Sequence, residues 1–124
     1  MAQGANHPVP TISTHVLDTE RGLPAAGVHV TLFRIADDGR PLRLTQALTD
    51  ADGRVHDLLE RPLAAGDYRL QFDFTIDSAD LEIPADRDRF FRRLSLDIRV
   101  GDTRRSYHVP VLLSPYSMTT YRGS

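Results

Sequence analysis

The fold is decided by the stretch Tyr68-Arg69-Leu70-Gln71-Phe72-Asp73-Phe74-Thr75-Ile76, in which apolar and polar residues alternate without a break. Successive side chains of a β-strand point to opposite faces, so this run presents one face to a core and the other to water. The same period recurs in two further runs, whose apolar members are Leu94, Leu96, Ile98 and Val100, and Val28, Val30 and Leu32. The pattern predicts half-buried strands.

Turn signals separate these runs, at Arg21-Gly22-Leu23-Pro24, Asp37-Asp38-Gly39-Arg40, Asp52-Gly53, Ala65-Gly66-Asp67 and Gly101-Asp102. Their spacing predicts about eight strands, at roughly 11–18, 27–35, 42–50, 54–58, 67–76, 91–100, 105–113 and 116–122. Short strands at such spacing are typical of an all-β sandwich or barrel. One short helix is predicted around residues 78–88, where Pro84 interrupts it. Residues 1–10 are predicted to be a disordered leader, and residues 11–124 a single domain.

Composition excludes several classes of function. The net charge is -2 and the basic residues are scattered, so nothing indicates a nucleic-acid partner. There is no cysteine, which excludes disulfides and thiolate chemistry, and all 15 basic residues are arginine, which excludes a lysine nucleophile or base. Residues 1–11 contain no secretory signal pattern, and no apolar run is long enough for a membrane span. We therefore expect a cytoplasmic protein that does not enter a membrane.

The carboxy-terminal run from Tyr107 to Ser124 carries unusual chemistry for a chain end, including a histidine, three tyrosines and an arginine. A terminus usually frays, because it buries too little surface to offset the entropy lost on ordering. We predict that this terminus belongs to a functional site. Pro110 lies inside the run, and because proline lacks an N–H we expect it at an edge, a bulge or the start of a strand.

Histidines are the leading acid–base candidates, because imidazole titrates near neutral pH. His15 lies in the first strand, where the two-residue period gives it the same face as Ser13 and Leu17. His108 lies two residues before Pro110, in the strand that leads to the chain end.

Arg54 follows Gly53 in a turn, where a fixed guanidinium could hold a carbonyl or a developing oxyanion. The residues alone do not favour His15 and His108 over His29 and His56, and His7 falls in the predicted leader. Any one of these side chains is more often structural than catalytic.

The order of four motifs resembles the 5-hydroxyisourate hydrolases, the transthyretin-like enzymes of purine breakdown. The motifs are Ser13-Thr14-His15-Val16-Leu17-Asp18, Pro24-Ala25-Ala26-Gly27-Val28, Asp52-Gly53-Arg54, and Tyr107-His108-Val109-Pro110 continuing to Tyr121-Arg122-Gly123-Ser124. The terminal tetrapeptide is the most specific, because transthyretins proper do not end this way. The chain departs from the family at Met118, beside the site strand, where an aromatic residue is common.

The resemblance implies a transthyretin-like sandwich of two four-stranded sheets, with one short helix after the fifth strand. It also implies a homotetramer, a dimer of dimers, with sites in a channel where the dimers meet. The catalytic residues would be His15, Arg54 and His108, with Tyr121, Arg122, Gly123 and Ser124 binding 5-hydroxyisourate. No cofactor or metal would be needed.

Three alternatives stay open beside this interpretation. His15, His56 and His108 could form a three-histidine zinc site, although their spacing is not that of a local metal motif. The protein could be a transthyretin-type carrier that binds a small ligand without catalysis. The tail could be purely structural, its tyrosines completing the last strand and pairing with another subunit's edge.

Overall fold

A computed structural model of the chain describes residues 9–75 and 90–123. Most of the predicted leader, the predicted helix at 78–88 and the terminal Ser124 lie outside these ranges. Within them, no helix is long and apolar enough to cross a membrane.

The described part of the chain contains nine strands. They are β1 (Ile12–Asp18), β2 (Leu23–Pro24), β3 (His29–Ile35), β4 (Pro41–Leu48), β5 (Arg54–Val55), β6 (Gly66–Asp73), β7 (Arg93–Val100), β8 (Tyr107–Leu113) and β9 (Met118–Thr120). Eight of them match the predicted strands. The ninth, β2, is only two residues long, too short for any alternation to be visible in the sequence.

The strands form two sheets, which confirms the predicted all-β transthyretin-like sandwich. The site sheet has the order β2-β1-β8-β9, with β5 also pairing with β1, and the second sheet has the order β4-β3-β6-β7. Because β2 pairs with β1, the site sheet has five strands where four were expected.

One hydrophobic core lies between the sheets. The site sheet contributes Ile12, Val16, Val109 and Val111, and the second sheet contributes Val30, Leu32, Leu70 and Phe72, all of them buried. The outer face of the second sheet is polar. There Arg69 pairs with Asp97 at 2.7 Å and Arg99 with Asp67 at 3.0 Å, both across β6 and β7. Exposed pairs of this kind contribute little stability, so the apolar core is what holds the two layers together.

Pro110 lies in the middle of β8, a central strand, so the prediction that it would sit at an edge, a bulge or a strand start is wrong. Successive residues of β8 direct their backbone N–H and C=O groups alternately toward β1 and toward β9. The N–H of Tyr107 donates to the carbonyl of Thr11, next to β1, whereas the C=O of His108 accepts from the N–H of Gly123, just after β9. By this alternation the missing N–H of Pro110 falls on the β9 side. The pairing with β9 accordingly stops at Thr120 and resumes as the single bridge between His108 and Gly123.

Met118 packs against the core and is the cross-strand neighbour of the buried Leu113. It therefore lies on the opposite face of the site sheet from the histidines. The side chain at this position therefore affects the packing between the sheets more directly than the surface around the histidines.

Candidate active site

The outward face of β1 carries the first candidate residues. Burial alternates along the strand, with Ser13, His15 and Leu17 half-buried on the outward face and the residues between them buried in the core. The buried hydroxyl of Thr14 donates to the carbonyl of Val109 on β8, at 2.6 Å. This bond and the parallel ladder fix the register of β1 against β8.

That register brings His108 beside Ser13. The two residues are partners across β1 and β8, and Ser13 Oγ lies 2.8 Å from Nδ1 of His108. The chain end covers another edge of the ring: a Cβ built on Gly123 would lie 2.8 Å from Cδ2 of His108. The N–H of Gly123 donates to the carbonyl of His108 at 2.7 Å, so backbone hydrogen bonding holds the tail against the imidazole.

A tight turn at residues 50–53 positions Arg54. The Asp50 carboxylate accepts hydrogen bonds from the backbone N–H groups of Asp52 and Arg54, both at 2.9 Å. Gly53 has a φ of 77°, and a Cβ there would lie 2.4 Å from the carbonyl oxygen of Val16. Only glycine allows the turn to pack this closely on β1. The short strand β5 follows and runs antiparallel to β1. In the register of these two strands Arg54 lies directly opposite His15.

The same turn also orients His15. Its Nε2 lies 2.8 Å from the backbone carbonyl oxygen of Asp52. A carbonyl can only accept, so Nε2 of His15 carries the hydrogen in this bond. In the neutral ring Nδ1 is then left with a lone pair that can accept a hydrogen bond.

Electrostatics set the protonation of His108. Burial lowers the pKa of His108 below its ordinary 6.5, and the coulombic influence of Arg54 and of His15 lowers it further. The guanidinium of Arg54 forms no ion pair with any carboxylate in the described part of the chain. The arrangement combines an imidazole that stays neutral near pH 7 with a cation able to bind an oxyanion.

The structure therefore brings together four of the predicted site residues: His15, Arg54, His108 and Gly123. Tyr121 and Arg122 line a cavity of about 300 Å³ beside β7, together with core-facing residues such as Val109. In the described residues no hydrogen bond joins either side chain to the two histidines. Ser124 lies outside the described residues.

The remaining described histidines lie elsewhere. Nε2 of His56 is 3.5 Å from Asp50, and its side chain is 74% exposed. His29 is half-buried on the second sheet, and its buried Nε2 has no hydrogen-bond partner among the described residues. Across residues 9–75 and 90–123, no three His, Asp or Glu side chains are grouped so that they could share a metal ion.

The sequence did not single out three residues at the site: Ser13, Asp50 and Asp52. Ser13 could have been found, because it shares the outward face of His15 on a two-residue period. The roles of the Asp50 carboxylate and the Asp52 carbonyl depend on how the turn folds back over β1, and no local pattern encodes that.

Comparison with known proteins matches residues 12–123 to the model of the HIUase/transthyretin family. A protein of Deinococcus radiodurans named 5-hydroxyisourate hydrolase is 44% identical over 117 residues, covering 93% of this chain and 97% of the relative. The structure of Klebsiella pneumoniae 5-hydroxyisourate hydrolase is 36% identical with a TM-score of 0.76, covering 93% of this chain and 99% of that one. Sea bream transthyretin in complex with thyroxine is 26% identical with a TM-score of 0.77, covering 90% of this chain and 93% of that one.

Proposed function

Because this chain belongs to the HIUase/transthyretin family, we propose that it is a 5-hydroxyisourate hydrolase that works without a cofactor. It converts 5-hydroxyisourate to 2-oxo-4-hydroxy-4-carboxy-5-ureidoimidazoline, a step of urate degradation, and residues 11–124 form the single hydrolase domain. The observation that carries the assignment to this site is the convergence of two imidazoles and the Arg54 guanidinium on one face of the site sheet.

In the first step, a water molecule attacks the C6 carbonyl of the substrate at the N1–C6 bond. As the water oxygen bonds to C6, one proton of the water moves to Nε2 of His108. The lowered pKa of His108 supports this assignment, because a neutral ring is ready to accept a proton. General-base assistance of this kind contributes roughly 10²–10⁴ in rate.

Arg54 stabilises the negative charge that develops on the former carbonyl oxygen. A donor aimed at such an oxyanion contributes on the order of 3 kcal/mol. The intermediate then collapses: the C=O bond re-forms, the C6–N1 bond breaks, and the proton on His108 passes to N1. His108 returns to its neutral state, so the cycle is complete without a metal or cofactor.

His15 and the chain end position the substrate. Nδ1 of His15 has no hydrogen-bond partner among the described residues. It accepts a hydrogen bond from a ring N–H of the substrate, because Nε2 is already engaged with the Asp52 carbonyl. The terminal motif, Tyr121, Arg122, Gly123 and Ser124, binds the polar edges of the substrate. The bridge between Gly123 and His108 supports this role, since it holds the tail beside the reacting ring.

The assay that tests this proposal mixes the protein with uricase and urate and follows the transient absorbance of 5-hydroxyisourate. The unmodified protein should speed its decay well beyond the spontaneous rate. His15→Ala, Arg54→Ala, His108→Asn and a chain lacking residues 121–124 should lose most of this activity with little loss of stability. His29→Ala, at a half-buried histidine on the second sheet, is the matched control. Full activity in His108→Asn would refute the assignment of the base.

A transthyretin-type carrier is the second candidate, favoured by the likeness to sea bream transthyretin. Half-buried histidines, and an arginine with no carboxylate partner among the described residues, suit an apolar ligand poorly, because each loses water without gaining a partner. If the decay in the uricase assay is no faster than the spontaneous rate, the carrier becomes the better account.

We also propose that the protein acts as a homotetramer, a dimer of dimers, whose channel encloses the outward face of the site sheet. Oligomerisation would then be required for activity. A variant that sedimentation shows to be dissociated should stay folded by circular dichroism and be nearly inactive. An active monomer would contradict this proposal.

A cytoplasmic location completes the proposal. The substrate decays spontaneously, so the hydrolase has to share a compartment with the enzyme that produces 5-hydroxyisourate. Cell fractionation should find both activities in the cytoplasmic fraction, and recovery of the hydrolase outside it would contradict this location.

A further inference from the structure

We propose that Ser13 is a positioning residue for His108, holding its imidazole in the tautomer with hydrogen on Nδ1 and a lone pair on Nε2. The inference rests on the proposed hydrolase function and deepens it by naming what prepares the base. Ser13 itself does not touch the reacting atoms.

The contact between the two side chains is short and held from several sides. Ser13 Oγ lies 2.8 Å from Nδ1 of His108, and within the described residues this hydroxyl has no other hydrogen-bond partner. The pairing of β1 with β8, to which the buried Thr14 bond contributes, sets the two residues side by side. Gly123 lies against the Cδ2 edge of the ring. The ring is therefore confined, and the hydroxyl of Ser13 is the hydrogen-bond partner of its Nδ1.

A hydroxyl can either accept a hydrogen bond from Nδ1–H or donate one to Nδ1. Only the first arrangement leaves Nε2 with a lone pair for the proton of the attacking water. It also persists through the reaction, since protonation of Nε2 leaves Nδ1–H in place and the serine oxygen then stabilises the imidazolium. The second arrangement places hydrogen on Nε2 and removes the base. A neutral hydroxyl suits this site because it orients the ring and raises its proton affinity much less than a carboxylate would.

The test compares Ser13→Ala, which removes the hydroxyl, with Ser13→Thr, which keeps it. Ser95→Ala, at an exposed serine on β7, is the matched control. Loss of ring orientation should lower kcat of Ser13→Ala by about 10- to 100-fold, since small misplacements of a reacting group cost rates of that order. KM should change by less than about threefold, because ground-state binding is not removed. Ser13→Thr should recover most of the activity, and Ser95→Ala should match the unmodified protein.

A second readout does not require any catalysis. Long-range ¹H–¹⁵N NMR spectra of the full chain distinguish the two neutral tautomers of each histidine. His108 should show the Nδ1–H pattern in the unmodified protein and in Ser13→Thr, and a mixture containing Nε2–H in Ser13→Ala.

The two measurements separate failure of this inference from failure of the proposed function. An unmodified protein without hydrolase activity would overturn the function, while the spectra would still report on the contact between Ser13 and His108. If His108→Asn is inactive but Ser13→Ala keeps kcat within about twofold, the positioning role is wrong and the function stands. Unchanged tautomers in Ser13→Ala would also overturn the role.

Discussion

Replacement of Gly53 by alanine tests how the turn at residues 50–53 packs on β1. Two costs arise at this position. A non-glycine residue at a φ of 77° loses roughly 1–2 kcal/mol in backbone strain. The added Cβ would also lie 2.4 Å from the Val16 carbonyl oxygen, against 3.4 Å or more in an ordinary contact.

Relief of that contact requires the turn to withdraw from β1. The hydrogen bond from the Val16 N–H to the Gly53 carbonyl, at 2.7 Å, would then weaken. A net loss of about 1 kcal/mol for that bond brings the expected total to roughly 2–3 kcal/mol. For a domain of this size, the melting temperature should fall by on the order of 10 °C.

Gly39→Ala is the matched control, because Gly39 has a φ of 85° but nothing within 4 Å of a built Cβ. It should lose only the strain, roughly 1–2 kcal/mol. Urea unfolding at equal protein concentrations measures both losses, and the uricase-coupled assay measures turnover. Gly53→Ala should also reduce turnover strongly, since the turn carries Arg54 and the Asp52 carbonyl that orients His15. Equal stability losses for the two variants would refute the reasoning, because the contact with β1 would then contribute nothing.

Three further predictions concern the site. The lowered pKa of His108 should keep the ring neutral below pH 6.5, so kcat/KM should decline only at a lower pH. In NMR titrations Arg54→Gln should raise the pKa of His108. An unchanged or lower pKa of His108 in this variant would contradict the coupling between the two residues. Gly123→Ala should reduce kcat at least about tenfold with little loss of stability, because its Cβ would displace the His108 ring; normal kinetics would place the tail elsewhere. Turnover should survive exhaustive chelation, and loss of turnover restored by zinc would favour the three-histidine metal site.

The predictions from sequence were most successful where a local pattern carries the information. Alternation predicted a half-buried strand at 67–76 and the structure has β6 at Gly66–Asp73, because a strand beside a core has to alternate whatever its neighbours are. Alternation failed at β2, which is too short to show a period. For the site, the residues alone left His29 and His56 equal to His15 and His108, and only the family resemblance separated them.

The sequence by itself determined the all-β class, the face that His15 shares with Ser13, and the need for glycine-containing turns. Only the tertiary structure decided that Ser13 lies against His108, that Arg54 pairs with His15, and that Gly123 closes on the His108 ring. The physical reason is the length of chain between these partners. Ser13 and His108 are 95 residues apart, and their contact follows from the parallel register of β1 and β8. Such a register is set by the whole packed core, which no local pattern encodes.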